Sequence, residues 1–198
     1  GRTHDFAAQG RVFAKLQKEY DVDVQFVHFP LHPDTPAEGM KLLDLFGGPS
    51  AAPRLEQSRQ RLLDLAKQEG LPMSGNREMT YNSRLAQELG VWAEEQGHGT
   101  EFHDAAFRAY FVENQNVGDV DVLVGIAKSV GLDAGAARKV LTERTHREKV
   151  DSDWSRSRQS GVNAVPTFQI GGKMVVGAQP YEVLEELAIE AGAKKRQK

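Results

Sequence analysis

Apolar residues recur at helical spacing over residues 5–19, at Phe6, Phe13 and Leu16, and Tyr20 closes the stripe. The period then changes. Val22-Asp23-Val24-Gln25-Phe26-Val27-His28-Phe29 alternates and turns apolar on both faces, which predicts a strand buried toward its end. Pro30, Pro33 and Pro36 stop it. From residue 37 to residue 160 the pattern is helical throughout. Leu55, Leu62 and Ala66 line one face of a helix ended by Gly70, and Leu85, Leu89, Trp92 and Ala93 line the next, ending near Gly97. Phe102, Ala105, Ala106, Ala109 and Tyr110 line a third, widened by Phe107 and Phe111. Asp119 and Asp133 stand where they can cap helices over 120–130 and 134–144. A last helix carries Val150 and Trp154 before Gly161.

The strand period returns near the end. Val165-Pro166-Thr167-Phe168-Gln169-Ile170, then Gly171-Gly172, then Lys173-Met174-Val175-Val176 reads as loop, strand, tight hairpin and strand. Proline cannot donate to a ladder, so Pro166 belongs at the strand's entry. A helix starts at Gln179-Pro180 and closes at Gly192. Three strands split between two ends cannot make two stable sheets. The pattern therefore predicts one α/β domain, residues 1–36 and 161–198, interrupted by an all-helical insertion over 37–160.

Composition narrows the function classes. The net charge of -3, with 39% hydrophobic and 27% charged residues, is ordinary for a globular chain. It argues against nucleic acid as the main partner, because phosphate binding leaves a basic patch. The one basic cluster, Lys194-Lys195-Arg196-Gln197-Lys198, reads as a solvated, frayed terminus. No apolar run approaches the roughly 18 residues that span a bilayer, so no membrane is expected as a partner. With no signal peptide visible, a cytoplasmic location is the expectation. The 198 residues include no cysteine, which removes disulfides, thiolate nucleophiles, dithiol redox pairs and cysteine-held zinc.

The block Gly-Val-x-x-Val-Pro-Thr-Phe from Gly161 to Phe168, with Gly171-Gly172 and Val175-Val176-Gly177-Ala178-Gln179-Pro180-Tyr181, resembles the DsbA-like thioredoxin family. Within it the FrnE-type branch is most similar, together with the 2-hydroxychromene-2-carboxylate isomerases and kappa-class glutathione transferases. The run Val24 to Pro36 resembles that branch's second strand and following loop, and Thr80-Tyr81-Asn82-Ser83-Arg84-Leu85-Ala86 resembles a segment of its helical insertion. The resemblance implies a thioredoxin-like fold with the insertion as a lid, and thiol–disulfide exchange on a thiol- or disulfide-containing substrate. It also implies a first strand, lying between Val22–Phe29 and Thr167–Ile170, and a Cys-x-x-Cys or serine motif opening the first helix. The chain begins at Gly1-Arg2-Thr3-His4, within what the family places as that helix. The expectation is thus an N-terminally incomplete sequence that lacks the family's first strand and is redox-inactive as given.

Candidate site residues follow, each with a plainer reading beside it. The residue before the family's cis-proline offers its backbone to an extended peptide or to glutathione, which nominates Val165, Pro166 and Thr167; otherwise they form a rigid strand entry. Gly177, Ala178 and Gln179 stand where glutathione-using relatives hold the tripeptide, although those relatives use small polar and acidic residues there; otherwise they are a helix start. Glutathione is therefore a cofactor only under an isomerase or transferase reading. A non-catalytic binding module is the third reading. His32, beside two prolines, could line the mouth of a site. Asn82 could contact substrate or cap a helix. His28, His32 and His103 show no metal spacing, so no metal is expected; His28 reads as a core or sheet-face residue and His103 as surface. The aromatic face of Phe102, Phe107, Tyr110 and Phe111 reads as insertion core, or as the interface of a homodimer.

Overall fold

The computed structural model describes residues 4–68, 70, 72–177 and 179–196, with the backbone alone over 4–11 and at 65 and 68. Phe6 and Ala178 therefore fall outside the described side chains. In chain order the elements are α1 (His4–Glu19), β1 (Met40–Lys41), α2 (Leu42–Leu45), a 3-10 turn (Pro49–Ala51), α3 (Ala52–Gln68), β2 (Met79–Thr80), α4 (Arg84–Glu95), α5 (Gly99–Phe111), α6 (Val120–Ser129), α7 (Ala134–Glu143), α8 (Arg147–Gln159), β3 (Thr167–Ile170), β4 (Lys173–Val176) and α9 (Tyr181–Glu190). The chain divides into two compact units, one from Gly1–Phe29 with Ser157–Lys198, the other Pro30–Arg156.

The Pro30–Arg156 unit is built on helices α4 to α7. Leu89 and Leu123 are completely buried, in one cluster with Trp92, Phe102, Ile126, Ala137 and Leu141. The aspartates cap as their spacing predicts. The Asp119 carboxylate accepts from the amides of Asp121 (2.8 Å) and Val122 (3.0 Å), and that of Asp133 accepts from Ala136 (2.6 Å). Phe102 and Phe111 are buried, Phe111 lies against the rings of Phe107 and Tyr110, and the aromatic face thus packs largely on itself. One element escapes the periodicity. Met40 pairs with Thr80 and Lys41 with Met79 in a two-residue antiparallel ladder, too short to leave an alternating pattern. Gly39 makes this possible: at φ +90° it lies so close to Tyr81 that an added Cβ would come within 2.4 Å of the ring and 2.8 Å of the Thr80 carbonyl.

A fully buried carboxylate sits in the same unit. Glu88 of α4 accepts from Arg84 Nε (2.6 Å) through Oε1 and from Arg144 Nη2 (2.6 Å) and Nε (2.7 Å) through both oxygens. Burial alone would raise its pKa, but the hydrogen bonds from the Arg144 and Arg84 guanidinium groups outweigh that and hold it below the ordinary value. Arg84 also bonds Asp151 (2.8 Å) and the Arg147 carbonyl (2.9 Å), and its guanidinium lies 4.5 Å from the Trp154 ring centroid. Its hydrogen bond lowers the Asp151 pKa as well.

The other unit joins the two ends of the sequence. β3 and β4 form the expected hairpin, with Thr167 opposite Val176 and Ile170 opposite Lys173. Gly171 and Gly172 turn at φ +55° and +83°, the double left-handed geometry of the commonest two-residue turn. Phe168 is buried against Phe13, their centroids 5.4 Å apart. Helix α1 packs on α9 through Leu16, Tyr20 and Ala188.

Two expectations fail here. Val22–Phe29 forms no ladder among the described residues, and Phe26 is 56% exposed rather than buried. Pairing needs a neighbouring strand, and the described residues supply none beside it. His28 is half-buried, on this irregular segment instead of a sheet face, with its carbonyl accepting from Ser157 Oγ (3.1 Å). The basic cluster is not frayed over its described part. The Asp21 amide donates to the Lys194 carbonyl (2.9 Å) and the Arg196 amide to the Glu19 carbonyl (2.8 Å). Arg196 Nε also donates to the Gln17 and Tyr20 carbonyls, both at 3.0 Å, so backbone acceptors at the end of α1 hold this one cation while the segment stays exposed.

Beside this strap, Tyr20 donates to Glu185 Oε1 (2.8 Å) and Tyr181 to Glu19 Oε2 (2.7 Å). The Tyr20 pKa is raised first by its bond to Glu185 and then by burial; the Tyr181 pKa is raised first by burial and then by its bond to Glu19. A raised pKa contributes stability that is complete below the ordinary value near 10.0 and is lost as pH climbs through the folded value. Spectrophotometric titration of the phenols is therefore expected to show two tyrosines ionising late, together with loss of this unit's structure. The double change Tyr20→Phe and Tyr181→Phe should remove both the late phase and its coupling to unfolding.

Candidate functional site

The loop before β3 gathers five of the residues singled out in the sequence. Pro166 is buried, Val165 and Thr167 are half-buried, and the Val165–Pro166 peptide bond is cis. Thr167 Oγ1 donates to the Ala164 carbonyl (2.6 Å), closing the loop on itself. The Gly177 amide donates to the Pro166 carbonyl (2.8 Å), so the residues after β4 brace the entry to β3. Gln179 Nε2 donates to the carbonyls of Val176 (3.1 Å) and Gly177 (3.2 Å), fastening that bracing segment. The backbone N–H and C=O of Val165 make no hydrogen bond among the described residues. β3 pairs with β4 alone among them.

A profile of the DSBA-like thioredoxin domain matches residues 6–188. The chain belongs to this family. The DSBA-like chain is 30% identical over 185 residues to the uncharacterized protein YwbO of Bacillus subtilis, covering 92% of this chain and 89% of that one. Its fold is similar to a probable DsbA oxidoreductase from Streptomyces coelicolor, with a TM-score of 0.84 at 24% identity over 96% of this chain and 83% of the other. It is also similar to a 2-hydroxychromene-2-carboxylate isomerase, with a TM-score of 0.66 at 20% identity over 96% and 89%. The fold is thus a DsbA-like thioredoxin fold, rich in helix, and it carries no cysteine.

The remaining candidates lie in the Pro30–Arg156 unit. His32 is exposed on the loop after Pro30. Asn82 Nδ2 donates to the carbonyls of Pro33 (3.1 Å) and Thr35 (2.8 Å), and its Oδ1 accepts from the Arg84 amide (2.9 Å). This DSBA-like chain therefore uses Asn82 to tie the loop beside His32 to the first turn of α4. Among the described residues no cluster of histidine or acidic groups could hold a metal ion, and no helix is long and apolar enough to cross a membrane. Sequence reasoning missed the Glu88 network. The Arg84–Glu88 spacing of four was its one local signal, while Arg144 lies 56 positions from Glu88.

Proposed function

We propose that this chain is the substrate-docking part of a DsbA-like thiol–disulfide oxidoreductase of the FrnE type, redox-inactive by itself. Exchange needs a thiolate, and the 198 residues contain none. The observation that carries the docking role is Val165. It is half-buried at the entry to β3, and its donor and acceptor are unpaired among the described residues. Half-buried backbone groups without partners gain by pairing with the backbone of an extended substrate. Val165 N–H and C=O would bond the substrate backbone next to its sulfur, and Thr167 and Gly177 would hold the loop rigid for that contact.

The test is a titration of the ¹⁵N-labelled chain with a short peptide carrying a mixed disulfide. Saturable shifts are expected at the Val165 and Thr167 amides. Val165→Pro, which removes the N–H, should weaken binding about tenfold, the equivalent of about 1.4 kcal/mol. The chain should not accelerate insulin-disulfide reduction by dithiothreitol. Unmoved Val165 and Thr167 amides at saturation would refute the docking role, and measurable acceleration would refute the redox assignment.

A further inference from the structure

We propose that the cleft formed by the first turn of α4 and the α7–α8 connection binds the carboxylate of a small organic acid. The cleft is shallow and open to solvent, with a volume of about 280 Å³, lined by Asn82, Arg84, Arg144, Arg147, Asp151 and Trp154 among others. That is just under the roughly 300–1,000 Å³ of pockets for drug-sized ligands, which suits a small molecule.

The donors are unequally committed. All three nitrogens of the Arg84 guanidinium are used, by Glu88, Asp151 and the Arg147 carbonyl. Arg144 gives Nε and Nη2 to Glu88, and its Nη1 has no partner among the described residues. The Arg147 guanidinium comes no closer than 3.6 Å to Asp151, beyond hydrogen-bond reach. Two guanidinium groups on adjacent turns therefore keep donors for a ligand. Counting the buried Glu88 beneath them, three guanidinium groups face two carboxylates, leaving one positive charge in excess. Both carboxylates are held ionised by their arginine partners. An excess of one charge and a planar donor fork match a monocarboxylate better than a divalent, tetrahedral anion.

The backbone points the same way. Arg144 closes α7 at φ +55°, a left-handed position where glycine or asparagine is the usual residue. A strained long cation there needs a reason. The turn brings its guanidinium back onto Glu88, and the buried carboxylate fixes the group at the cleft. Arg84 is held equally firmly, between Glu88, Asp151 and the face of Trp154. A carboxylate would thus meet preoriented donors, with the ring of Trp154 and Pro33 flanking its hydrocarbon part.

The probe is sodium benzoate, titrated into the full ¹⁵N-labelled chain, with sodium chloride and inorganic phosphate as parallel arms at matched ionic strength. Saturable shifts of the Arg144 and Arg147 side-chain N–H signals by benzoate, weaker with phosphate and absent with chloride, are expected. Arg147→Gln should weaken benzoate binding at least fivefold with little movement of the thermal midpoint, since that side chain is 64% exposed and its one ion pair, to the half-exposed Asp151, is long at 3.6 Å. The proposal is overturned by a response that never saturates, by one that chloride reproduces, by tighter binding of phosphate, or by an unchanged affinity in Arg147→Gln.

Discussion

Replacing Glu88 with alanine lowers the unfolding free energy of the helical unit by about 3 kcal/mol, the lower end for removing one partner of a buried ion pair. The reason lies in what is left behind. Arg84 keeps a side chain only 15% exposed and loses its Nε acceptor, and Arg144 loses two bonds at once. Arg144 is 39% exposed and can turn to water, which holds the cost at the lower end. Glu88→Gln keeps the shape and one acceptor, so it should cost less. Both tryptophans, Trp92 and Trp154, belong to the Pro30–Arg156 unit, so their fluorescence during urea unfolding reads this transition. The pH dependence carries its own sign. Because the folded Glu88 pKa is depressed, its contribution is present above the ordinary value near 4.5 and is lost as pH falls through the folded value. Wild-type stability should decline in acid below that point, and Glu88→Gln should flatten the decline. An acid limb identical in the two proteins would remove Glu88 as its cause.

Leu123→Ala is expected to cost about 3–4 kcal/mol in the same measurement, within the range for truncating a buried leucine where the surroundings relax only in part. Leu123 is completely inaccessible at the centre of the α4–α7 cluster, and its helix is pinned at the first turn by the Asp119 cap. The pinned helix has little room to collapse into the space left by three carbons. Leu123→Met nearly conserves volume and should cost under about 1.5 kcal/mol. If alanine and methionine cost the same, the site is loosely packed and the cavity argument fails.

What could be read from the residues alone is what depends on near neighbours. The Gly171-Gly172 turn, the Asp119 and Asp133 caps and the left-handed glycines Gly97 and Gly192 after α4 and α9 act over a few positions, and all are found where their spacing puts them. The Val22–Phe29 alternation was also legible as a strand pattern, but a pattern specifies a face and cannot specify a partner. Its Phe26 stays largely exposed, its ring edge-on to Phe13 at 6.0 Å. The basic cluster misled for a related reason. Composition marks Lys194 to Arg196 as solvated and frayed; they are exposed, but the segment is held, its backbone by Glu19 and Asp21 and Arg196 Nε by the carbonyls of Gln17 and Tyr20. At the candidate site, the bracing of Pro166 by Gly177 follows from hairpin register and was near the surface of the sequence. The role of Asn82 as a loop tie was not, since its acceptors lie 47 and 49 positions away.

The division of the chain also fixes an order of assembly. Every residue of the Pro30–Arg156 unit is synthesised before the first residue of β3, and the cluster around Leu89 and Leu123 draws on no residue of β3, β4 or α9. Helix α1 cannot finish its own packing in that time, because α9 and the Lys194–Arg196 strap are synthesised only after that unit. At synthesis rates of about 5–20 residues per second, α1 spends on the order of ten seconds as a nascent helix with Leu16 and Tyr20 unshielded. Helix α1 is in that interval the described segment with most to gain from a chaperone.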